Sequence, residues 1–145
     1  MEWINDLQKK TVGLDTAPLI YFIEENSAYI ETVRFFFEAM DRGDFLVVTS
    51  TVTLLEVLVH PLRRNNRELA TEYRDILLNS KLTTLEVSSS IAEQAAQLRA
   101  VHNIRTPDAI QISAALSARA SHFFTNDIRL PEIPSIQILS LDALV

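Results

Sequence analysis

The sequence predicts an α/β fold in which a mostly parallel sheet of four to five strands lies between two layers of helices. Short apolar runs of strand length alternate with helical patterns along the whole chain, which is typical of such sheets. The chain has 145 residues, of which 48% are hydrophobic, and this is enough to bury a sizeable core. No internal repeat or linker interrupts it, so we expect residues 1–145 to form a single domain.

The first strand is predicted at residues 10–14, where the run KTVGL is followed at once by Asp15. A short helix is expected over residues 18–25. Ser27 is the expected cap of a second helix, because apolar residues then recur at helical spacing on one face: Ile30, Val33, Phe37 and Met40. Gly43 follows that helix, where a left-handed residue is favoured.

The middle of the chain repeats this alternation. Residues 45–49, FLVVT, form a continuous apolar run that indicates a buried strand. A helix is expected over residues 52–59 and should stop at Pro61, because proline cannot continue it. The next helix carries apolar residues at helical spacing, and a third strand is expected at residues 82–87.

Two further helices are expected in the second half of the chain. Ser90 and Glu93 have the spacing of a capping box, opening a helix with one stripe of side chains: Ile91, Ala95, Leu98 and His102. Thr106 is the expected cap of the last helix, with Pro107 at its first helical position. That helix is almost entirely small or apolar, which indicates packing on more than one face.

The predicted topology brings acidic residues to one edge of the sheet. The last strands are expected at residues 122–125 and 136–139. Right-handed crossovers place the carboxyl ends of all parallel strands on one edge, and Asp15 and Asp127 directly follow strands. Asp108 opens the helix before the fourth strand and can join them if that helix starts at the same edge. Ligands of open α/β sheets bind at this edge.

Four acidic residues stand out because they have apolar surroundings or follow a strand, although each also has an ordinary structural explanation. Asp15 can cap the helix after it, and Glu56 follows Thr53 at capping-box spacing. Asp108 suits the positive end of a helix dipole, and Asp127 suits an Asn-Asp turn. Together, several carboxylates in one crevice repel and raise one another's pKa. A hard divalent cation such as Mg²⁺ or Mn²⁺ would resolve that conflict, since it prefers oxygen ligands.

Composition excludes several classes of protein and site. The chain has no Cys, which rules out disulfides, thiolate metal sites and Cys nucleophiles and favours a reducing, cytoplasmic location. We find no signal peptide and no apolar run of membrane-spanning length. The net charge of −6 argues against broad non-specific binding of nucleic acid, unless cations bind the acids. The three His residues have no metal-ligand spacing, so a zinc site is unsupported.

Two phosphate-handling folds with acids beyond their strands are also unsupported. A phosphoryl-accepting receiver domain would need an acidic pair near the first strand and a Lys after the last strand. A haloacid-dehalogenase-type phosphatase would need a second Asp two residues after its nucleophile, where this chain has Ala17.

Four segments occur in a fixed order over nearly the whole chain, from about Thr11 to Leu139. They are LDTAPLIYFIE, TLLEVL, TPDAIQISAAL and TND. In order and placement they resemble the PIN-domain ribonucleases, most closely the toxin half of VapBC-type toxin–antitoxin pairs. The resemblance implies a PIN-like three-layer α/β/α sandwich and an endoribonuclease dependent on Mg²⁺ or Mn²⁺. It also implies RNA products that end in a 3′-hydroxyl and a 5′-phosphate.

The resemblance carries over onto individual positions. The acids correspond to the expected catalytic residues, with Glu56 as a ligand or as the group that orients water: Asp15, Glu56, Asp108 and Asp127. Three of them, Asp15, Asp108 and Asp127, are the expected metal ligands, direct or through water. Hydrogen-bonding groups behind the acids are expected at Thr16, Thr125 and Asn126. Arginines are the candidates for RNA contact: Arg63, Arg64, Arg67 and Arg105.

The resemblance further implies a cognate antitoxin and a homodimer. The first helices carry more apolar residues than one buried stripe needs, and they are the expected docking place for an antitoxin helix: Ile20, Tyr21, Phe22, Ile23, Tyr29, Phe35, Phe36 and Phe37. The extension containing Trp3 before the first strand is a further candidate contact with a partner. Housekeeping nucleases and non-catalytic modules that bind RNA or protein also occur in the family, and both stay open as alternatives.

Overall fold

The computed structural model describes residues 1–145 and contains five strands, seven α-helices and one short 3-10 helix. The strands are β1 Thr11–Leu14, β2 Leu46–Ser50, β3 Thr83–Leu85, β4 His122–Thr125 and β5 Gln137–Ser140. The helices are α1 Glu2–Asn5, α2 Thr16–Ile23, α3 Ile30–Arg42, α4 Thr51–Arg63, α5 Arg67–Leu78, α6 Ser89–Val101 and α7 Thr106–Ser117, and the 3-10 helix is Leu141–Ala143. None of the helices is both long and apolar enough to cross a membrane.

The sheet is entirely parallel, in the order β3-β2-β1-β4-β5. The chain winds outward from β1 to β3 and then returns past β1 to β4 and β5. The direction of winding therefore changes between β1 and β4, which is where ligands bind in open α/β sheets.

Two hydrophobic cores lie on opposite faces of the sheet. The larger core lies between the sheet and helices α1 to α5, and its largest buried side chains include Phe36 and Tyr73. The smaller core lies between the other face and helices α6 and α7, with Ile112 fully buried. Adjacent strand residues point to opposite faces, so Phe124 belongs to the larger core and Phe123 to the smaller one. The predicted three-layer sandwich is confirmed.

Helix α7 approaches β1 closely because a small residue, Ala115, faces Gly13 at the contact. A Cβ atom added to Gly13 of β1 would lie only 2.5 Å from the Cβ of Ala115 and 3.0 Å from a ring carbon of Phe123. Val12 and Leu14 point to the other face and enter the larger core. Gly13 therefore permits the contact between β1 and α7 that sets the height of the helix above the sheet.

Three predicted helix caps are wrong, although the helices are present. Ser27 does not cap α3, which starts at Ile30 without a side-chain cap. Ser88, rather than Ser90, caps α6 and accepts from the Ile91 amide. Thr106 is the first residue inside α7, where its hydroxyl accepts from the Arg99 guanidinium instead. Only α6 has an alternative side-chain cap, whereas α3 and α7 begin without one, and helix boundaries read from sequence are uncertain by one or two residues.

The predicted end of α4 at Pro61 is also wrong, because the helix runs to Arg63. A proline removes one backbone hydrogen bond, and this one lies in the last turn of the helix. The Pro61 carbonyl accepts from the Asn66 amide at 2.8 Å, and the Pro61 side chain is buried. Burial of the ring and this bond beyond the helix offset the lost bond. The C-cap at Gly43 has the predicted left-handed conformation, with φ at 82°.

Most of the apolar side chains near the N-terminus that exceed one helical stripe pack against the larger core. Phe36 and Phe37 are fully buried, whereas Phe35 is 47% exposed. The Trp3 ring packs 6.0 Å from Phe124, on the larger core. Trp3 is therefore half-buried against the larger core, and Phe35 is the exposed member of the run Phe35, Phe36 and Phe37.

Candidate active site

All four singled-out acids line one open pocket of about 350 Å³ at the carboxyl edge of the sheet. Asp15 follows β1 and Asp127 follows β4, the two strands on either side of the change in winding direction. Glu56 comes from the second turn of α4 and Asp108 from the first turn of α7. Both of those helices start at this same edge, so the topology brings together residues from four distant segments.

Thr125 connects the two acids that follow strands. Its hydroxyl donates to one carboxylate oxygen of Asp15 at 2.7 Å and accepts from the backbone amide of Asp127 at 3.0 Å. The other Asp15 oxygen accepts from the Thr16 amide at 2.8 Å, so Asp15 also serves as the N-cap of α2. The Asp15 carboxylate is thereby fixed in position.

The pKa of Asp15 is raised above the ordinary value for an aspartate. Burial is the main cause, and the negative charges of Asp108 and Glu56 add to it. Hydrogen bonds from Thr125 and Thr16 oppose the shift without cancelling it. Burial and the neighbouring carboxylates therefore disfavour the ionised form of Asp15.

Glu56 is oriented from below by a polar network. The Thr16 hydroxyl donates to a Glu56 carboxylate oxygen at 2.6 Å. Behind it, the side-chain amide of Gln111 donates to the hydroxyls of Thr53 and Thr16. Gln111 and Thr53 are almost fully buried, although Glu56 itself reaches the surface.

The donors and acceptors in this network have a fixed direction. The Thr49 hydroxyl donates to the Leu14 carbonyl at 2.9 Å, so in its 2.7 Å contact with Thr53 it is the acceptor. Thr53 therefore donates to Thr49 and accepts from Gln111. The Gln111 carbonyl oxygen accepts from Ser50 at 2.7 Å. Each hydroxyl hydrogen of Thr49, Thr53 and Ser50 is thus assigned to one acceptor. The side-chain amide of Gln111 connects α7 to β2, α4 and α2.

We expect Gln111→Glu to lower stability by about 2 kcal/mol and to reduce activity, because a buried carboxylate cannot donate to Thr53 and Thr16. Thermal melting and a cleavage assay measure the two effects. Gln97→Glu is the matched control, because Gln97 lies exposed on α6 and its side chain makes no hydrogen bond within the protein. Equal losses in the two variants would contradict the assigned direction of the network.

The remaining two acids are each paired with an arginine. The Arg105 Nε lies 3.2 Å from a carboxylate oxygen of Asp108, which is buried. Arg129 contacts Asp127 through Nε at 3.1 Å, through a terminal nitrogen at 3.3 Å and through its backbone amide at 2.9 Å. These bonds lower the pKa of Asp127 below its ordinary value. The pKa of Asp15 is thus raised and the pKa of Asp127 lowered within the same pocket.

The donor chemistry of the pocket suits a hard cation, although no three acidic or His side chains converge as a ready-made metal site. All four acids supply oxygen donors, which suit Mg²⁺ or Mn²⁺. The Asn126 side-chain oxygen is buried at the pocket wall and has no hydrogen-bond partner. Arg105 contacts only one oxygen of Asp108, which leaves the other oxygen available to a cation, whereas Arg129 contacts both oxygens of Asp127.

A family model for the PIN domain matches residues 12–136, which is most of the chain. The chain belongs to the PIN domain family. The resemblance drawn from the four sequence segments is therefore confirmed at the level of the family. No match was found among curated proteins.

Solved structures with the same fold include three from toxin–antitoxin systems. VapBC2 of Rickettsia felis, crystallised with a DNA fragment from its promoter, has a TM-score of 0.71 and 20% identity over 90% of this chain and 98% of that chain. A Klebsiella pneumoniae toxin–antitoxin complex has a TM-score of 0.67 and 21% identity over 90% and 97%. VapC20 of Mycobacterium tuberculosis, a toxin that cleaves the sarcin–ricin loop, has a TM-score of 0.68 and 18% identity over 81% and 91%.

In this PIN domain the structure gathers some predicted site residues and leaves others apart. The acids, Thr16 and Asn126 line the pocket together with Arg105, and Thr125 lies directly beneath it. The predicted RNA contacts Arg63, Arg64 and Arg67 do not line it: Arg63 ends α4, Arg67 begins α5, and Arg67 lines a separate pocket.

Sequence reasoning missed two contributors to the pocket of this PIN domain. Gln111 is a large polar residue in an otherwise small and apolar helix, one turn after Asp108, and this contrast was a usable signal. Arg129 follows Asp127 by two residues and pairs with it. Its pairing had no sequence signal beyond that spacing.

We expect opposite stability effects when Asp15 and Asp127 are each changed to Asn in chelator-treated protein. The raised pKa of Asp15 means that its ionised form is unfavourable in the fold, so stability falls as pH rises from about 4 through the folded pKa. The lowered pKa of Asp127 contributes stability above about pH 4, which is lost as pH falls. At pH 7 Asp15→Asn should therefore melt higher than the wild type and Asp127→Asn lower.

Melting curves between pH 3 and pH 8 check this prediction, and both differences should shrink toward the acidic end. Shifts of the same sign for the two variants at neutral pH would contradict the assigned environments.

Proposed function

We propose that this PIN domain is an endoribonuclease that requires Mg²⁺ or Mn²⁺ and acts as the toxin of a toxin–antitoxin pair. One observation carries the proposal: four carboxylates from four distant segments line one pocket at the carboxyl edge of the sheet. Capping or turn roles explain each acid singly but do not explain why they meet. The likeness to a toxin described as cleaving the sarcin–ricin loop supports RNA as the substrate class.

In this proposal each acid has its own part. Asp15, Asp108 and Asp127 would hold the cation, directly or through water, and Asp15 is held ready by Thr125 and the Thr16 amide. Glu56 is the most exposed of the four and would orient the attacking water. The Thr16 hydroxyl, which already donates to Glu56, fixes the direction of that carboxylate.

A bound divalent cation would neutralise the carboxylates and stabilise the negative charge that develops on the phosphate during cleavage. The chain contributes the positions of the acids and of the groups behind them. Since Arg129 contacts both oxygens of Asp127, cation binding and arginine pairing should compete at that carboxylate.

The deciding experiment is cleavage of single-stranded RNA by the purified protein in excess chelator and after addition of Mg²⁺ or Mn²⁺. We expect cleavage only with the metal, with products that end in a 5′-phosphate. Equal cleavage in chelator would contradict the metal requirement. No cleavage with either metal, accompanied by retained RNA binding, would favour the non-catalytic module.

An antitoxin is the proposed protein partner, because the solved structures with this fold include toxin–antitoxin complexes. Phe35, bordered by Glu31, Arg34 and Glu38, is the most exposed side chain of the predicted docking region, and Ile20 and Tyr21 of that region line the acid pocket. Expression alone should arrest growth, and co-expression with the adjacent small open reading frame should relieve the arrest. Harmless expression of an active enzyme that co-purifies with no partner would indicate a housekeeping nuclease.

A homodimer is the second proposed assembly. Leu55, Val59 and Leu62 recur at helical spacing on α4, and each is more than 40% exposed, which gives one apolar stripe. An apolar stripe on one helix can pair with itself across a two-fold axis. Light scattering should give a dimer for the wild type and a monomer after Leu55→Glu; a monomeric wild type would remove this proposal.

A further inference from the structure

A second groove adjoins the acid pocket and has the opposite charge. It encloses about 340 Å³ and shares with the acid pocket the two ion pairs, Arg105–Asp108 and Arg129–Asp127. Beyond these pairs it is lined by polar and charged groups of α6 and the loop after it, principally Arg99 and Asn103. We call this the arginine groove and define it by Arg99, Asn103, Arg105 and Arg129.

The guanidinium groups in the arginine groove are held in place but keep most of their donors free. Arg99 donates through Nε to the Ile104 carbonyl at 3.0 Å and through a terminal nitrogen to the Thr106 hydroxyl at 2.8 Å. Arg105 has one bond within the protein, from Nε to Asp108. A guanidinium has five N–H donors, so several on each side chain have no partner in the protein and remain available.

Negative and positive side chains concentrate in different halves of the space formed by the acid pocket and the arginine groove. The acid pocket has four carboxylates against two arginines, whereas the arginine groove has three arginines against two carboxylates. The arginine groove thus has an excess of positive charge within a chain whose net charge is −6. A ligand that carries repeated negative charges, bound next to a cation, would match both halves at once.

We propose that the arginine groove is the subsite for the RNA backbone, holding a phosphate next to the one that is cleaved; this proposal rests on the nuclease function proposed above. Arg99 and Arg105 contribute from α6 and the start of α7, and Arg129 from the loop after β4. Arg129 is the shared group: it pairs with Asp127 through Nε and one terminal nitrogen, and its remaining N–H donors are free to contact phosphate. The RNA path therefore runs from the acids toward α6, not toward Arg63, Arg64 and Arg67.

The test measures RNA binding apart from cleavage. In an Asp15→Asn background, affinity for a short, labelled, single-stranded RNA is measured by fluorescence anisotropy across a series of salt concentrations. Arg129→Ala should weaken binding about tenfold and reduce the slope of log affinity against log salt by about 1. Arg119→Ala removes the same charge at the opposite end of α7 and should leave affinity and slope unchanged.

A variant with the wild-type net charge distinguishes a direct contact between Arg129 and phosphate from a general effect of charge on RNA binding. Arg129→Ala leaves Asp127 unpaired and adds negative charge, whereas the double variant Asp127→Asn with Arg129→Ala keeps the wild-type net charge. Binding should stay weak in the double variant if Arg129 contacts phosphate. Recovery of wild-type affinity, or an effect of Arg119→Ala as large as that of Arg129→Ala, would overturn the proposal.

The failure of this proposal can be distinguished from failure of the nuclease function. RNA cleavage by the wild type in Mg²⁺, with no dependence of RNA binding on Arg129, removes the subsite and keeps the enzyme. RNA binding that depends on Arg129, with no cleavage under any metal, supports the groove and removes the nuclease.

Discussion

Replacing Asp15 by Asn is expected to reduce RNA cleavage by at least about a hundredfold without unfolding the protein. Loss of a group behind a metal ligand commonly lowers activity or metal affinity by about 10- to 100-fold, so loss of a ligand should do more. Asn keeps the size of the side chain and can still accept from the Thr16 amide. The charge that attracts the cation is lost, while the cap of α2 is retained.

Initial rates of cleavage and melting curves, both measured with and without Mn²⁺, check this prediction. The wild type should gain stability on addition of Mn²⁺, and the variant should lose most of that gain. Asp75→Asn, an exposed change on α5 without a side-chain partner, is the control and should behave as the wild type. Cleavage within a few-fold of wild type in Asp15→Asn would remove Asp15 from the site.

Replacing Gly13 by Ala is expected to lower the free energy of unfolding by about 3 kcal/mol, at the upper end of overpacking effects. The new Cβ would lie 2.5 Å from the Ala115 Cβ, so β1 and α7 must move apart. Both elements belong to the centre of the domain and carry site residues at their ends. We therefore expect activity to fall together with stability.

Thermal or urea unfolding measures the change, and a second substitution tests its cause. Ala115→Gly removes the clashing methyl group and should restore most of the loss, apart from about 1 kcal/mol for glycine inside a helix. Gly43→Ala is the contrasting variant: nothing lies near its Cβ position, and only its left-handed φ of 82° should cost stability, about 1 kcal/mol. Equal losses at Gly13 and Gly43, with no rescue, would contradict the close approach.

The sequence was sufficient for the sheet and for the convergence of the acids, for a physical reason. Apolar runs bounded by polar residues predict parallel strands, and crossover handedness then determines which edge each strand end reaches. Asp15, Asp108 and Asp127 could be placed because each lies next to an element boundary. Glu56 sits inside a helix, and its placement depended on the family resemblance.

The partners of the acids could not be predicted in the same way. Arg129 pairs with Asp127, and Arg105 with Asp108, through flexible side chains whose direction depends on the folded surroundings. The network around Gln111 joins residues up to 95 positions apart. Unlike burial on a helix or strand, the direction of a side-chain hydrogen bond produces no periodic pattern in the sequence. For the same reason the cluster Arg63, Arg64 and Arg67, compact in sequence, proved distant from the pocket.

The pairing of β1 with β4 also decides when the candidate site can be completed during synthesis. Thr125 and Asp15 are 110 residues apart, and the contact between them forms only after nearly the whole chain has left the ribosome. A nascent chain that ends before β4 already contains Asp15, Glu56 and Asp108, but it lacks the strand that orients Asp15 and supplies Asp127. If the proposed function holds, we expect incomplete translation products to be inert toward RNA, because the site is complete only after roughly the last sixth of the chain has emerged and folded.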